Sequence, residues 1–189
     1  MNLNKPIFLN RIVDEKLLDF VTRELKIAAN AARILEPHSG YEEGFADSFN
    51  FYCPPCLEVL SEIIQPVIEN KLQLKLYPSY TYARLYRHGS RLNKHYDRRS
   101  SEFTVSLSLE YDDSNWPLCI LDDENNINKF VLNKGEAVIY SGRQFAHWRD
   151  GPYKGKEQAQ AFFQYVDING DSADLKYDGK IAPGLPFTF

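Results

Sequence analysis

The chain has 189 residues, 43% of them hydrophobic and 25% charged, with a net charge of −4 at pH 7. This length suffices for one domain with its own core, and the composition is that of an ordinary soluble protein. The negative charge argues against nucleic acid as a partner, because proteins that grip duplex phosphates usually carry a basic domain.

The N-terminal residues and the cysteines indicate the cellular compartment in which the protein is expected. The first ten residues contain no apolar stretch of the kind found in signal peptides, and no apolar run approaches the roughly 18 residues that span a membrane. Three cysteines, Cys53, Cys56 and Cys119, are an odd number without a signal peptide, which favours reduced thiols. We therefore expect a cytoplasmic protein with no membrane partner.

Two helices are predicted in the first 77 residues, which we interpret as a supporting region. From Asp14, a plausible N-cap, apolar residues recur at three- and four-residue steps until just before Pro37. A second stripe of this kind runs over 55–72 and contains Pro66, which should kink the helix. The residues between the two stripes, 38–52, are expected to form a loop.

Beyond residue 77 the pattern changes to the alternation that is typical of strands. Tyr82, Arg84 and Tyr86 share one face of the first such run, and residues 103–110 alternate cleanly. Further strands are expected at 129–132, 137–140 and 159–166, the first two as a hairpin around 133–135.

Two segments are expected to lack regular structure. The acidic stretch 112–128 is predicted to be a long loop, either a lid over the site or a surface hairpin. The tail 169–189 is rich in Gly, Asp and Pro and should run over the surface.

Helices followed by short strands favour a mainly β fold with N-terminal helices (α+β), an antiparallel jelly roll with helices packed outside. We predict one domain over 1–189, whose jelly-roll core occupies 78–168. A small-molecule or peptide substrate is expected, and the oligomeric state is left open.

His95, Asp97 and His147 are the candidate metal ligands. His95 and Asp97 are two positions apart, so an extended backbone directs both side chains to one side. Two imidazoles and one carboxylate can occupy one face of a metal octahedron and leave the other face open, as suits ferrous iron that must also bind a co-substrate and dioxygen. His38 and His88 lie in predicted loops and are given no role.

With Tyr86 and Lys156, these residues resemble the Fe(II)/2-oxoglutarate-dependent dioxygenases, and within them the prolyl-4-hydroxylase-like group. In that family the iron ligands are His-x-Asp and a distal His. A tyrosine nine or ten residues before the first ligand, and a basic residue nine or ten after the last, commonly reach the far carboxylate of 2-oxoglutarate. The resemblance covers about 78–168 and implies a double-stranded β-helix fold, which is cupin-like.

The resemblance further implies Fe(II), 2-oxoglutarate and O2 as cofactors and co-substrates, with ascorbate as an additional candidate. It implies that a C–H bond of a peptidyl or free amino acid such as proline is hydroxylated, while 2-oxoglutarate is converted to succinate. Lys156 and Tyr86 would anchor the far carboxylate, although Lys154 competes with Lys156 for this role. Lysine stands where many relatives have arginine, so a bidentate contact would be lost.

Several interpretations stay open. Arg84, if it faces the barrel interior with Tyr82, needs an anion, which is either a ligand carboxylate or an internal ion-pair partner. Arg98 and Arg99 would either lie at the edge of the substrate entrance or be exposed to solvent in a loop. The function itself has two alternatives: an oxygenase of small metabolites or nucleobases, and a cupin-like metal-binding protein without turnover.

Overall fold

The computed structural model describes residues 3–35, 48–112 and 114–184, and its helices occupy the predicted positions. Helix α1 is Glu15–Leu35 and helix α2 is Pro55–Leu72. Asp14 Oδ1 accepts a hydrogen bond from the N–H of Lys16, 2.9 Å away, which places a carboxylate at the start of α1. A proline in the first turn begins α2, and Gln73, with φ of 55°, ends it.

Nine strands lie within the described residues and form two antiparallel sheets. They are β1 Ile7–Leu9, β2 Phe49–Tyr52, β3 Leu76–Arg87, β4 Phe103–Glu110, β5 Leu118–Leu121, β6 Ile127–Phe130, β7 Ala137–Tyr140, β8 His147–Arg149 and β9 Glu157–Asp167. The large sheet has the order β1-β7-β4-β9-β3-β2 and the small sheet has the order β6-β5-β8. The predicted mainly β architecture with helices is confirmed.

The two faces of the large sheet differ in character, and this difference positions the site. Val105 and Leu107 of β4 belong to a buried apolar cluster that includes Leu25 of α1 and Ile64 of α2. The intervening residues Thr104, Ser106 and Ser108 are also buried. Since successive side chains of a strand point to opposite faces, the helices cover the apolar face and the polar face lies inside the barrel.

The predicted hairpin between 129–132 and 137–140 is wrong. β6 pairs with β5 in the small sheet, whereas β7 pairs with β1 and β4 in the large sheet. The turn around Gly135 therefore links the two sheets. Turn residues between two short strands look alike in both arrangements, and only the partners of each strand distinguish them.

The segment 112–128 is not an irregular loop but includes most of the hairpin that β5 and β6 form, in agreement with the hairpin alternative. It contains β5, which is buried in three of its four positions and pairs with β6 and β8. Trp116 is buried and donates a hydrogen bond to the carbonyl of Gly151, so it serves as a packed side chain. The apolar run in β5 is only four residues long, and the acidic residues on both sides masked its signal.

The C-terminal region contains a 3₁₀ segment, Ala173–Gly179, that packs on β3. Its buried Asp178 accepts hydrogen bonds from Tyr52 Oη and Arg98 Nη2, each 2.5 Å away. The predicted loop 38–52 and tail 169–189 lie partly outside the described residues, and the described end of that loop is wrong, because residues 49–52 form β2 and pair with β3. No helix among the described residues is long and apolar enough to cross a membrane, and Cys53, Cys56 and Cys119 are free thiols.

Asp178→Ala is expected to release the 3₁₀ segment from the barrel. Removing the buried carboxylate leaves Tyr52 and Arg98 without this acceptor and should cost about 1–3 kcal/mol in the free energy of unfolding. Hydrogen exchange at 173–179 would then become faster. Asp178→Asn, which keeps one acceptor oxygen, is the matched control, and equal exchange in both variants would contradict this account.

Candidate metal centre

His95, Asp97 and His147 come together where the two sheets meet. The N–H of His95 donates to the carbonyl of His147 over 3.1 Å, and the N–H of His147 returns a bond of 3.0 Å. The N–H of Asp97 donates to the carbonyl of Gly142 over 2.9 Å. Backbone pairing thus fixes all three residues, even though His147 is distant from the other two along the chain.

The three side chains lie close enough together to hold a metal ion, with one ligand atom of each within 4.8 Å of the others. Asp97 Oδ1 lies 3.6 Å from His95 Nε2 and 3.5 Å from His147 Nε2. Metal bonds to such ligands are about 2.1 Å long, so two ligands of one metal lie at most about 4.2 Å apart. One ion can therefore contact the carboxylate and either imidazole together.

Both imidazoles present the correct nitrogen to this space. His95 Nδ1 lies 2.7 Å from the carbonyl oxygen of Asn93, and His147 Nδ1 lies 2.9 Å from that of Phe145. A carbonyl only accepts, so each Nδ1 carries a proton, and Nε2 is the nitrogen that a metal ion would take. Metal-binding histidines are oriented in this way by outer hydrogen bonds.

Neighbouring groups hold the Asp97 carboxylate in place. Thr104 Oγ1 lies 3.3 Å from Asp97 Oδ2 and 2.6 Å from the side-chain amide of Gln164. A hydroxyl has one hydrogen, so Thr104 donates to Asp97 when Gln164 turns its NH2 group toward Thr104. Burial raises the pKa of Asp97, but hydrogen bonds to His147 and His95 outweigh it and leave that pKa below its usual range.

A cavity of about 290 Å³ opens beside the three ligands. Tyr140 and Leu92 line it near the metal ligands, and the Tyr140 ring centroid lies 4.8 Å from that of His147. Phe162 and Gln164 of β9 form another wall. The cavity can therefore place an organic molecule against an ion held by the three side chains.

Tyrosines and arginines line the rest of the cavity: Tyr52, Tyr80, Tyr82, Arg84 and Arg98. The Arg98 guanidinium lies 4.1 Å from the Tyr80 ring centroid, and that of Arg84 lies 5.3 Å from the Tyr82 centroid. Arg84 is buried. These groups combine flat apolar surface with positive charge, which suits a substrate that carries both an apolar part and an anion.

The structure does not bring every predicted site residue to the cavity. Lys156 and Lys154 are exposed, and Lys156 precedes the first residue of β9, with its backbone N–H bound to Asp112. Tyr86 is fully buried against Trp116 and is not among the residues that line the cavity. Arg99 pairs with Asp174 at the surface, away from the cavity lining.

Arg149 is a buried residue in this region to which the sequence analysis gave no role. It lies two positions after His147 in β8, so the two side chains share one strand face. Its Nη1 donates to the carbonyl of Trp116, and its Nη2 lies 3.4 Å from Gln160 Oε1. The sequence could have indicated this role, because Arg149 lies two positions after His147 and therefore on the same face of a strand.

No protein-family model matches the chain, and no curated protein matches it. Solved structures do match. AviO1 from Streptomyces viridochromogenes Tue57 is 12% identical, with a TM-score of 0.68, and the match covers 88% of this chain and 91% of that one. A Pseudomonas putida prolyl-4-hydroxylase is 14% identical, with a TM-score of 0.64, covering 86% of this chain and 92% of that chain.

A third match is HygX from Streptomyces hygroscopicus, a structure with nickel and 2-oxoglutarate bound. It is 10% identical, with a TM-score of 0.63, and the match covers 94% of this chain and 92% of that one. At such low identity the likeness is one of fold. The double-stranded β-helix expected from the sequence resemblance is thereby confirmed.

Proposed function

We propose that this protein is an Fe(II)- and 2-oxoglutarate-dependent oxygenase that hydroxylates a C–H bond. The observation that carries the proposal is the cluster His95, Asp97 and His147 beside a cavity, in which both imidazole Nε2 atoms lie within 3.6 Å of Asp97 Oδ1. The likeness to the HygX structure, which holds nickel and 2-oxoglutarate, supports it. Two imidazoles and a carboxylate are the donor set that leaves positions open on ferrous iron.

The roles of the residues follow from their positions. His95, Asp97 and His147 would hold the iron, and Thr104 would keep the Asp97 carboxylate oriented. When bound, the iron would supply the activation of dioxygen at the expense of 2-oxoglutarate, which becomes succinate. The buried Tyr140 packs against His147 and limits water near the ligands.

The substrate class that we propose is a peptidyl or free amino acid such as proline. Tyr52 and Tyr80 stack with centroids 5.7 Å apart and offer a flat wall to an aliphatic ring. Arg84 lines the same space and would meet a carboxylate or a backbone carbonyl, whereas Arg98, which also lines it, is bound to Asp178. The matching prolyl hydroxylase from Trichoplax adhaerens, in complex with a peptide fragment, supports this substrate class.

A small-metabolite oxygenase of the same fold is the second candidate. It is favoured by the modest volume of the cavity, about 290 Å³, which admits a free small molecule. A nucleobase substrate fits less well, because the chain is acidic overall. A cupin-like protein that binds a metal without turnover is the remaining alternative.

The test needs no substrate. Anaerobic titration of metal-free protein with Fe(II) and then 2-oxoglutarate should produce the weak visible band of charge transfer from iron to the bound keto acid. Asp97→Ala should lose the band, because the hard anionic ligand is gone. Ascorbate is left out of this titration and added only to turnover assays.

A folded wild-type protein without the band would contradict the proposed function and direct the next titration to zinc. The matched control is Asp123→Ala, which removes an exposed carboxylate far from the cavity lining and should leave the band intact. Loss of the band in both variants would mean that the effect is not specific to the metal centre.

A further inference from the structure

Arg149 is a buried cation inside the barrel. Only 5% of its surface is exposed, and its guanidinium lies 4.8 Å from the Trp116 ring centroid and 5.9 Å from that of Tyr86. No carboxylate of the described residues forms an ion pair with it. Burial of a guanidinium without an anion is unfavourable, and a ligand carboxylate would relieve it.

Other buried polar atoms near Arg149 also lack partners. Arg149 Nε, Tyr86 Oη, Ser108 Oγ and Gln158 Oε1 make no hydrogen bond within the part of the chain that the structure describes. Such orphan atoms are rare in folded proteins, and several together indicate a missing ligand or water. Three of these four atoms can donate a hydrogen bond, which suits an anion.

Pairing between strands places these groups together on the inner face of the large sheet. Tyr86 is paired with Gln158, and Arg84 and Ser108 are both paired with Gln160, whose Oε1 lies 3.4 Å from Arg149 Nη2. Residues that are paired across strands point to the same face. The polar groups therefore cluster at one point on the inner face, next to Arg84, which lines the cavity.

This point lies at the depth that a short dicarboxylate would reach from the metal. Two residues along a strand advance about 6.6 Å, so Arg149 sits roughly that far from His147 along β8. A keto acid bound to the ion at one end would bring a carboxylate at its other end toward Arg149. Lys156, which the sequence pattern favours, is exposed and precedes β9.

We infer that Arg149, assisted by Tyr86, binds the far carboxylate of the dicarboxylate co-substrate, in place of Lys156. This inference rests on the proposed function. Arg149 comes from β8, the strand that carries the distal metal ligand, so one short strand holds both ends of the co-substrate. Its planar guanidinium offers two parallel N–H donors, which a lysine cannot provide.

The test compares two keto acids on the iron-loaded protein without oxygen. 2-Oxoglutarate and 2-oxopentanoate differ only in the far carboxylate, which is a methyl group in the latter, and the charge-transfer band reports a Kd for each. Wild-type protein should prefer 2-oxoglutarate. Arg149→Met should reduce this preference by about 10- to 100-fold, the effect of losing a charged hydrogen-bonded pair, and should leave the Kd of 2-oxopentanoate little changed.

The ratio of the Kd values for the two keto acids also distinguishes Arg149 from the other candidate residues, Lys156 and Arg84. Arg87→Met, an exposed residue at the end of β3, is the matched control and should keep the wild-type ratio. Collapse of the preference in Lys156→Met or Arg84→Met, with Arg149→Met unchanged, would overturn the inference. If Arg149→Met fails to fold, Arg149→Lys serves instead, and an unaltered ratio there together with a collapsed one in Lys156→Met would also overturn it.

Failure of the proposed function can be recognised separately. If wild-type protein gives no band with either keto acid, the metal-free protein is heated with glutarate or with pentanoate, and Tm is compared. A rise in Tm with glutarate alone, lost in Arg149→Lys, would support the carboxylate site without the iron chemistry. No rise with glutarate would overturn it.

Discussion

Replacing His147 with alanine is expected to abolish iron-dependent consumption of 2-oxoglutarate. His147 is buried, and its Nε2 lies 3.5 Å from Asp97 Oδ1. Alanine keeps the backbone pairing with His95 but removes one of two neutral nitrogen donors. Succinate formation should fall by roughly 10²- to 10³-fold or more, the scale on which loss of a reacting-site group acts. The measurement is succinate released per minute at saturating iron and 2-oxoglutarate.

His88→Ala provides the matched control for this variant. His88 is exposed in the turn that follows β3 and does not line the cavity. Its replacement should leave succinate formation within about twofold of wild type, since exposed substitutions away from a site usually have small effects. Wild-type rates in His147→Ala protein that is folded and saturated with iron would show that the iron site lies elsewhere.

Gly142→Ala should weaken the metal centre without touching a ligand. A Cβ at this position would overlap Asp97 Oδ2 and Thr104 Oγ1, and it would lie 3.1 Å from the carbonyl oxygen of Ser101. The backbone of Gly142 also accepts the N–H of Asp97, so it has little freedom to move away. Displacing the supports of a ligand typically costs about 10- to 100-fold in metal affinity. Competition with a chelator of known affinity measures this loss.

Gly151→Ala separates a metal effect from general destabilisation. A Cβ at Gly151 meets nothing within 4 Å, but its φ of +65° disfavours alanine. This variant should lose stability, by about 1 kcal/mol, and keep its affinity for iron. An equal loss of iron affinity in both variants would indicate that Gly142 acts through stability alone.

Arg149 and the proposed metal ligands illustrate how the fold serves two purposes with one strand. Backbone hydrogen bonds pair His147 of β8 with His95. Arg149 lies two residues further along β8, so its side chain points into the barrel interior as that of His147 does. Arg84 reaches this interior from the opposite sheet, through its pairing with Gln160. Two guanidiniums near one glutamine would allow the proposed co-substrate and substrate to be bound by different arginines.

The sequence by itself determined the helices and the identity of the metal-ligand candidates. Three- and four-residue periodicity located α1 and α2 because a helix packed on a sheet must bury one stripe. The alternation in β3 and β4 placed Tyr82 and Arg84 on one face, and both line the cavity. The His-x-Asp pair was readable because a two-residue step places both side chains on one side.

Only the tertiary structure decided which strands are neighbours and which basic side chains are buried inside the barrel. β6 and β7 are close in sequence but belong to different sheets, since each must bury its own face against a different partner. Lys156 has the parity of Gln158 and Gln160, yet it precedes the first paired residue of β9 and faces solvent. Spacing along the chain does not show which basic side chain is buried. Arg149 lies within β8 and is buried, whereas Lys156 lies before β9 begins and is exposed.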